Sequence, residues 1–324
     1  MKNRYDGIKS YVSWSLNKSN LKNSSSGGIF FEVAKKIIEE GGYVSGCVMI
    51  NNKPYHIITN NLKKLKEMRG SKYVQSNMDL FYKELINIDY SKQLLFVGTP
   101  CQTIIVKRVY KKLKGNTKNL FIITLFCHGV PSYKLLEEYL KTFKRKVKNI
   151  NFRDKTKSWK KFGVRIIFDD DSQLFQVYKK NKYMQTYLSN IALNENCYNC
   201  SFIKLPTNGD LMLGDFWGIP DSKMNIFGTS AILTNTPKGD KLIKELHKKH
   251  LIHLKDIDIN LILKGNPKLI DGIIERPLGR EKFILELEKY SFNRAYYKIL
   301  IPYLFKRKIM LWFLRIGRLL WLKK

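Results

Sequence analysis

Four cysteines set the strongest constraint on how this chain can fold. Cys197 and Cys200 stand at i and i+3 in Cys-Tyr-Asn-Cys, whereas Cys101 in Gly-Thr-Pro-Cys-Gln and Cys127 in Phe-Cys-His-Gly lie far upstream. Two thiolates at that spacing can grip one metal centre from a tight turn, but iron-sulfur and zinc sites need four ligands, so the partners must come from distant segments. Cys101 and Cys127 each follow a short apolar run that reads as a buried strand, Leu94 to Val97 and Phe121 to Phe126. Both can then emerge at the same edge of one sheet. Such a convergence points to redox chemistry. Taken singly, either thiol would read as an inert core residue; the Gly-Thr-Pro-Cys context changes that by placing Cys101 at the start of a helix whose N-terminal dipole favours thiolate. Cys47, inside the strand-like run Tyr43 to Ile50, reads as a small buried hydrophobe. The odd thiol count, the length and the lack of a secretory signal argue against a disulfide framework and for the reducing cytosol.

The order of apolar runs and breakers predicts an α/β fold: a mixed central sheet flanked by helices, with an antiparallel β subregion and a C-terminal helical tail. Helical spacing from Ile29 to Glu40, a strand over Tyr43–Ile50 and another over 55–59, and helices over 62–68 and 80–86 are followed by the two thiol-bearing strand–helix units. After a predicted helix from Tyr133 to about Lys146, the period shortens to that of antiparallel strands over 150–152, 163–168 and 173–178, with Asp169-Asp170-Asp171 as a solvated turn. Residues 1–240 are expected to form the catalytic domain, 241–293 a helical extension and 294–324 a basic amphipathic segment.

Several polar motifs sit where a cofactor could bind. Ser24-Ser25-Ser26-Gly27-Gly28 precedes a helix and can present backbone amides to a phosphate or to the edge of a flavin. Lys72 and Tyr73 in Gly-Ser-Lys-Tyr could meet an anion and cover an aromatic ring. Arg153-Asp154-Lys155 and Trp159 could close over a ligand. In Gly-Asp-Phe-Trp-Gly, Asp215 can accept from a ring N–H or a ribose hydroxyl, and Trp217 offers a stacking face. His247, His250 and His253 are interleaved with lysines and read as a solvated face.

The formal net charge of +32 implies either an anionic partner, whether nucleic acid, lipid headgroups, a nucleotide cofactor or an acidic glycan, or, for the lysines dispersed over the body of the chain, compositional bias and a solvated surface. No nucleic-acid-binding signature accompanies the charge, so nucleic acid is the weakest of these. From Arg294 to Lys324 there is no acidic residue, and Trp312, Phe313 and Trp321 alternate with cations. That composition suits a helix lying on an anionic membrane surface, with packing on the protein itself as the alternative.

Seven motifs occur here in the order seen in the coenzyme F420 hydrogenase/dehydrogenase beta-subunit family: Ser-Ser-Ser-Gly-Gly, Gly-Ser-Lys-Tyr-Val-Gln-Ser, Gly-Thr-Pro-Cys-Gln, Cys-His-Gly-Val-Pro, Phe-Arg-Asp-Lys, Cys-Tyr-Asn-Cys and Gly-Asp-Phe-Trp-Gly. The chain resembles that family over about residues 10–240, most of all its polysaccharide-biosynthesis-associated branch. The resemblance implies a flavoprotein. FAD would be held by Ser24, Ser25, Ser26, Gly27, Gly28, Lys72, Tyr73, Thr99 and Asp215, and a [4Fe-4S] cluster by Cys101, Cys127, Cys197 and Cys200. His128, beside a cluster ligand, is the candidate proton donor. Many members begin with a ferredoxin-like cassette of cysteines, which residues 1–20 lack. A separate electron donor is therefore expected, either a deazaflavin, a reduced ferredoxin or a similar carrier, with polysaccharide-biosynthesis enzymes as further partners. The competing reading is a non-catalytic accessory protein with a structural zinc site on the same four thiolates, tethered to a membrane glycan assembly.

Overall fold

The computed structural model describes residues 5–321. Its strands are Lys9–Ser15 (β1), Tyr43–Ile50 (β2), Lys53–Thr59 (β3), Leu94–Gly98 (β4), Leu120–Leu125 (β5), Val147–Asp154 (β6), Gly163–Phe168 (β7), Gln173–Val177 (β8), Leu211–Asp215 (β9), Ser230–Thr234 (β10) and Ile252–Asp256 (β11). Eight of them form one mixed sheet in the order β11-β1-β10-β9-β5-β4-β2-β3, and β6-β7-β8 form a separate antiparallel sheet. The expected fold class is the one observed.

Side chains alternate across the large sheet with the strand period of two. Leu95, Val97, Phe121, Ile123, Leu211 and Leu213 pack on one face beneath the helices Ile29–Glu39 and Pro237–Lys248, which supply Val33, Ile37, Ile243 and Leu246. The opposite face is covered in two parts. Leu94, Phe96, Leu120 and Ile122 meet Phe81, Val106 and Tyr110, whereas Met212, Ala231 and Leu233 meet Ile262, Leu263 and Trp159. Both faces of the four parallel-paired strands are thus buried, which is why their sequences are nearly continuous hydrophobic runs.

The register of those strands brings several of the singled-out residues to one edge. Parallel β4, β5 and β9 pair Gly98 with Thr124 and Leu125 with Leu213. Cys101 and Cys127 each lie three residues beyond a paired residue, Cys127 and Asp215 each two beyond, so all three leave neighbouring strands at one level. On the far side of β9, antiparallel β10 pairs Ser230 with Asp215, and β1 pairs Ser13 with Ser230. The Ser24–Gly28 loop packs on Ser13 and Ser230 and therefore belongs to the same edge. Neighbouring strands are about 4.8 Å apart, so the serine loop, Asp215, Cys127 and Cys101 follow one another along the sheet.

Three stretches depart from expectation. The helix beginning at Tyr133 ends at Leu140, because the chain turns to start β6 at Val147, where Arg145 and Lys148 pair with the Asp170 and Asp171 turn. Residues 241–293 are not purely a helical extension: β11 completes the large sheet against β1. The basic segment from Arg294 likewise begins inside the core, since Ala295, Tyr296 and Leu300 are buried with the small sheet and its helices. Only beyond this point, along the helix Ile301–Trp321, do Phe305, Ile309, Met310, Trp312 and Phe313 become exposed.

Gly27 is a tight joint of this edge. Its carbonyl accepts from Ser15 N at 2.6 Å and its amide donates to Ser230 Oγ at 3.0 Å. A Cβ there would lie 2.5 Å from Ser13 O and 2.8 Å from Ser230 N, both backbone atoms that cannot rotate away. Replacing Gly27 by Ala is therefore expected to cost about 3 kcal/mol of stability through overpacking, read as a lowered denaturant midpoint with an unchanged slope.

Candidate functional site

The thiol half of the edge is built by three segments. Cys101 is exposed in the first turn of the helix Pro100–Lys114, where Thr99 and Gln102 form a reciprocal cap and Thr99 Oγ1 lies 3.3 Å from Cys101 Sγ. Cys127 follows β5. The segment carrying Cys197 and Cys200 is bound to the Cys127 loop by Asn194 N donating to Val130 O at 2.9 Å. Gly129, with φ of +85°, permits this approach: a Cβ there would meet Leu193 at 2.7 Å and Cys197 Cβ at 3.4 Å. Burial pushes the Cys127 thiol up to about 12, a backbone hydrogen bond at Gly129 opposes this, and the charges of Cys101, Cys197 and Cys200 all add to it. Those three thiols are thus electrostatic neighbours of Cys127. Cys47 lies elsewhere, within reach of Lys72, and burial raises it to about 11. Among the described residues, no three His, Cys, Asp or Glu side chains stand close enough to hold a single metal ion.

The polar half is centred on Arg153, only 6% exposed. Its Nη1 meets Asp215 Oδ2 at 2.7 Å and donates to Tyr73 Oη at 2.7 Å, while the guanidinium lies over Phe162 at 4.2 Å and Trp217 at 5.3 Å. Trp159 Nε1 donates to the other Asp215 oxygen at 3.3 Å, and its ring stacks on Trp217 at 5.1 Å. Burial opposes the Arg153 charge, but Asp215 and Tyr73 more than offset it, so the group is held protonated. Two of its nitrogens, Nε and Nη2, are buried without a partner, as is Oδ1 of Asn266. The Asn266 amide is fixed in orientation because its nitrogen donates to the carbonyls of Asp215 and Ile262.

Lys155, two residues beyond Arg153, carries the serine loop. Its ammonium donates to the carbonyls of Leu21 at 2.8 Å, Ser26 at 2.9 Å and Phe227. The loop's own side chains are largely committed to structure. Ser24 donates to Asn20, Ser25 accepts from Ser71 N and Oγ, and Ser26 donates to Thr229 O. The expected free amides are reduced accordingly, since that of Gly27 is engaged. What the loop retains is the N-terminus of Ile29–Glu39, entered through Gly28 with no side-chain cap. Lys72 is also occupied: its ammonium donates to Glu67 O and Arg69 O, each at 2.9 Å, and burial lowers it to about 8.

His128 is half-buried. Burial, followed by the charge of Lys268, pulls it down to about 4, so near neutral pH it is an uncharged imidazole rather than an imidazolium ready to give a proton. His247 contacts Ile252 O and His253 stacks on Trp14 at 3.8 Å, so neither shares a metal-like cluster. His56, Lys268 and Asn266 carry no local signal in the sequence. Their contacts that matter, His56 to Ser76, Lys268 to His128 and Asn266 to Asp215, all join distant segments.

Residues 91–260 match the family model that describes the C-terminal part of the coenzyme F420 hydrogenase/dehydrogenase beta chain. Among solved structures, a chain from the F420-reducing [NiFe] hydrogenase complex of Methanosarcina barkeri superposes with a TM-score of 0.59, covering 90% of this chain and 97% of its own at 18% identity. No curated protein matches. The chain belongs to the coenzyme F420 hydrogenase/dehydrogenase beta-subunit family. Its role is accordingly a beta-subunit-like redox role, that of an oxidoreductase.

A buried relay supports the edge from below. His56 Nε2 donates to Val97 O at 3.0 Å, which makes Nδ1 the acceptor for Ser76 Oγ at 2.7 Å; Ser76 in turn accepts from Gln102 at 2.9 Å. Burial pulls His56 from the usual 6.5 to about 4. Between these values the unfolded chain takes up a proton that the folded chain refuses, so this stability is fully present above pH 6.5 and is lost as pH falls toward 4. Relative to His56→Gln, the wild type is expected to lose about 2 to 3 kcal/mol of unfolding free energy between about pH 7 and pH 4.5. Denaturant titrations at the two pH values measure the difference.

Proposed function

We propose that this chain is a flavin- and [4Fe-4S]-dependent oxidoreductase, with the two cofactors side by side along the β1–β10–β9–β5–β4 edge. The observation that carries the reading is the succession along that edge: a glycine-serine loop at a helix N-terminus, then Asp215, then Cys127, then Cys101. A flavin exchanges hydride and a cubane exchanges single electrons, so neighbours of this kind couple two-electron to one-electron chemistry.

The residues present fit both groups. Arg153 has two buried donor nitrogens to spare and Asn266 a buried acceptor, all attached to groups that contact Asp215. A flavin ring edge offers acceptors on either side of an N–H, the complement of such a set. In this reading Arg153 orients the ring edge and favours negative charge on it, Asp215 holds Arg153, and the paired rings of Trp159 and Trp217 exclude water. The thiols of Cys101, Cys127, Cys197 and Cys200 would hold the cluster, deprotonating as iron binds. Cys101, Cys197 and Cys200 all act electrostatically on Cys127, which supports the reading that the four thiols serve one centre. The Thr99 hydroxyl lies beside Cys101 and donates to Gln102 Oε1. The link to polysaccharide biosynthesis rests on sequence resemblance to that branch.

Anaerobically purified protein is expected to show flavin bands with a broad shoulder near the violet. Cys127→Ser should remove the shoulder and the iron while leaving flavin, and Arg153→Met should lower flavin content while keeping iron. A colourless wild-type protein that contains zinc would sink the proposal.

We further propose that the exposed end of the terminal helix rests on an anionic membrane surface. Phe305, Ile309, Trp312 and Phe313 recur at i, i+4, i+7 and i+8 on one stripe and are 42–65% exposed, with Lys306 and Lys308 flanking it. Among the described residues no helix is long and apolar enough to cross a membrane. Each cation near an anionic leaflet contributes about 1 kcal/mol. Full-length protein should sediment with phosphatidylserine vesicles at low salt and be released at high salt, whereas a version ending at Leu304, which keeps the buried Leu300, should stay in solution. Equal sedimentation of both versions would count against it.

A further inference from the structure

We infer that the outward face of the Pro100–Lys114 helix is the docking surface for an acidic, one-electron-carrying protein that delivers its electron at Cys101. The inference rests on the four-thiol cluster proposed above and names the class of its redox partner.

Thr103, Val106 and Tyr110 form the buried face of this helix. On the opposite face, Cys101, Ile105, Arg108 and Lys112 are all exposed and follow the i, i+4, i+7, i+11 spacing of a single stripe. The stripe therefore begins at a proposed cluster ligand and continues outward as cations. Lys111 and Lys107 flank it, and the helix contains no Asp or Glu. Among the described residues, Arg108, Lys111 and Lys112 have no carboxylate partner. Most surface lysine runs are merely solvated, but three features set this one apart.

The first is the exposure of Cys101, whereas Cys127, Cys197 and Cys200 are half-buried, so the helix start is where a partner comes nearest the thiols. The second is apolar: Ile105 on the stripe is 50% exposed, and Phe202, 41% exposed, lines a groove of about 120 Å³ together with Pro100, Ile104, Lys204 and Pro206. Pro100, next to Cys101, and Ser201, next to Cys200, both line that groove, and Lys107 donates to the carbonyl of Asn208 in its wall. The third is extent. Fifteen residues span roughly 22 Å, a length suited to a small protein contact rather than to a single small molecule. Electron-transfer contacts between proteins are small and held by charge, with a compact apolar centre, and charge steering raises their encounter rate. An acidic carrier matches this surface in sign. On docking, the carrier gives up one electron to the thiolate-held centre and becomes oxidised; no bond forms or breaks and no proton moves.

The test uses anaerobic holoprotein and a reduced acidic [2Fe-2S] ferredoxin as the probe, with electron transfer followed by stopped-flow absorbance. Lys111→Glu/Lys112→Glu should lower the low-salt second-order rate constant at least tenfold and remove its salt dependence. Reversing two exposed lysines elsewhere, Lys63→Glu/Lys66→Glu, changes the net charge equally and should leave the rate within twofold of wild type. Reduction by dithionite should be the same in all three proteins, which separates docking from damage to the cluster. Equal ferredoxin rates in wild type and the Lys111/Lys112 variant would overturn the proposal, as would an equal fall in both variants. Loss of DNA retention in the variant with an unchanged ferredoxin rate would assign the surface to nucleic acid and also overturn it. Wild-type protein without iron would refute the cluster reading itself, an outcome visible in its spectrum before any carrier is added.

Discussion

The site depends on the buried contact between Arg153 and Asp215. Arg153 comes from the small antiparallel sheet and Asp215 from the end of β9 in the large one, so this pair joins the two sheets at this edge. Burying two charges is costly, and such a pair is seldom a net source of stability. Removing one partner alone, however, strands a buried charge and typically costs about 3–5 kcal/mol. The pair therefore acts as a registration device. Tyr73 and the faces of Phe162 and Trp217 surround the guanidinium and Trp159 donates to Asp215, while Nε and Nη2 keep no hydrogen-bond partner. At the irregular end of β6, Arg153 meets Asp215 and Lys155, the next residue but one, meets the serine loop, while Asp154 between them pairs with Arg165 within its own sheet.

From that joint the edge divides into a self-satisfied polar half and an unsatisfied half. The serine loop spends its hydroxyls on Asn20, Ser71 and Thr229 and its carbonyls on Lys155, so it is rigid before any ligand arrives. The atoms left without partners belong to Arg153 and Asn266. Binding energy at such a place comes from satisfying groups already desolvated, which favours a ligand of matched polarity over water. Burial raises the Cys127 thiol, so a metal centre bound there would have to displace its proton.

Much of this was legible in the sequence wherever the signal was local. Continuous apolar runs ending at Gly98 and Leu125 marked buried parallel strands, and that alone put Cys101 and Cys127 at one edge. Long-range contacts were illegible. In β1, Ser10, Ser13 and Ser15 break the apolar pattern, because their hydroxyls bond Ile257 O, His253 O and Glu32, so the strand that holds the serine loop shows no strand signal. β11, Ile-His-Leu-Lys-Asp, reads as part of a basic helix until its pairing with β1 is seen. Gly27 looked like a place for ligand approach, yet the space its missing side chain frees is filled by Ser13 and Ser230. Lys72 looked like a free cation, yet it caps the end of the preceding helix.

The proposed iron-sulfur centre requires three separated segments to deliver four thiols to one place beside the Arg153–Asp215 joint. Anomalous X-ray scattering at the iron absorption edge, from crystals of anaerobically purified protein, addresses it most directly. Four resolved iron positions are expected, each bonded to one of the sulfurs of Cys101, Cys127, Cys197 and Cys200, with Cys47 bare. A lone zinc signal among those sulfurs, or iron bound anywhere that leaves Cys101 out, would contradict it.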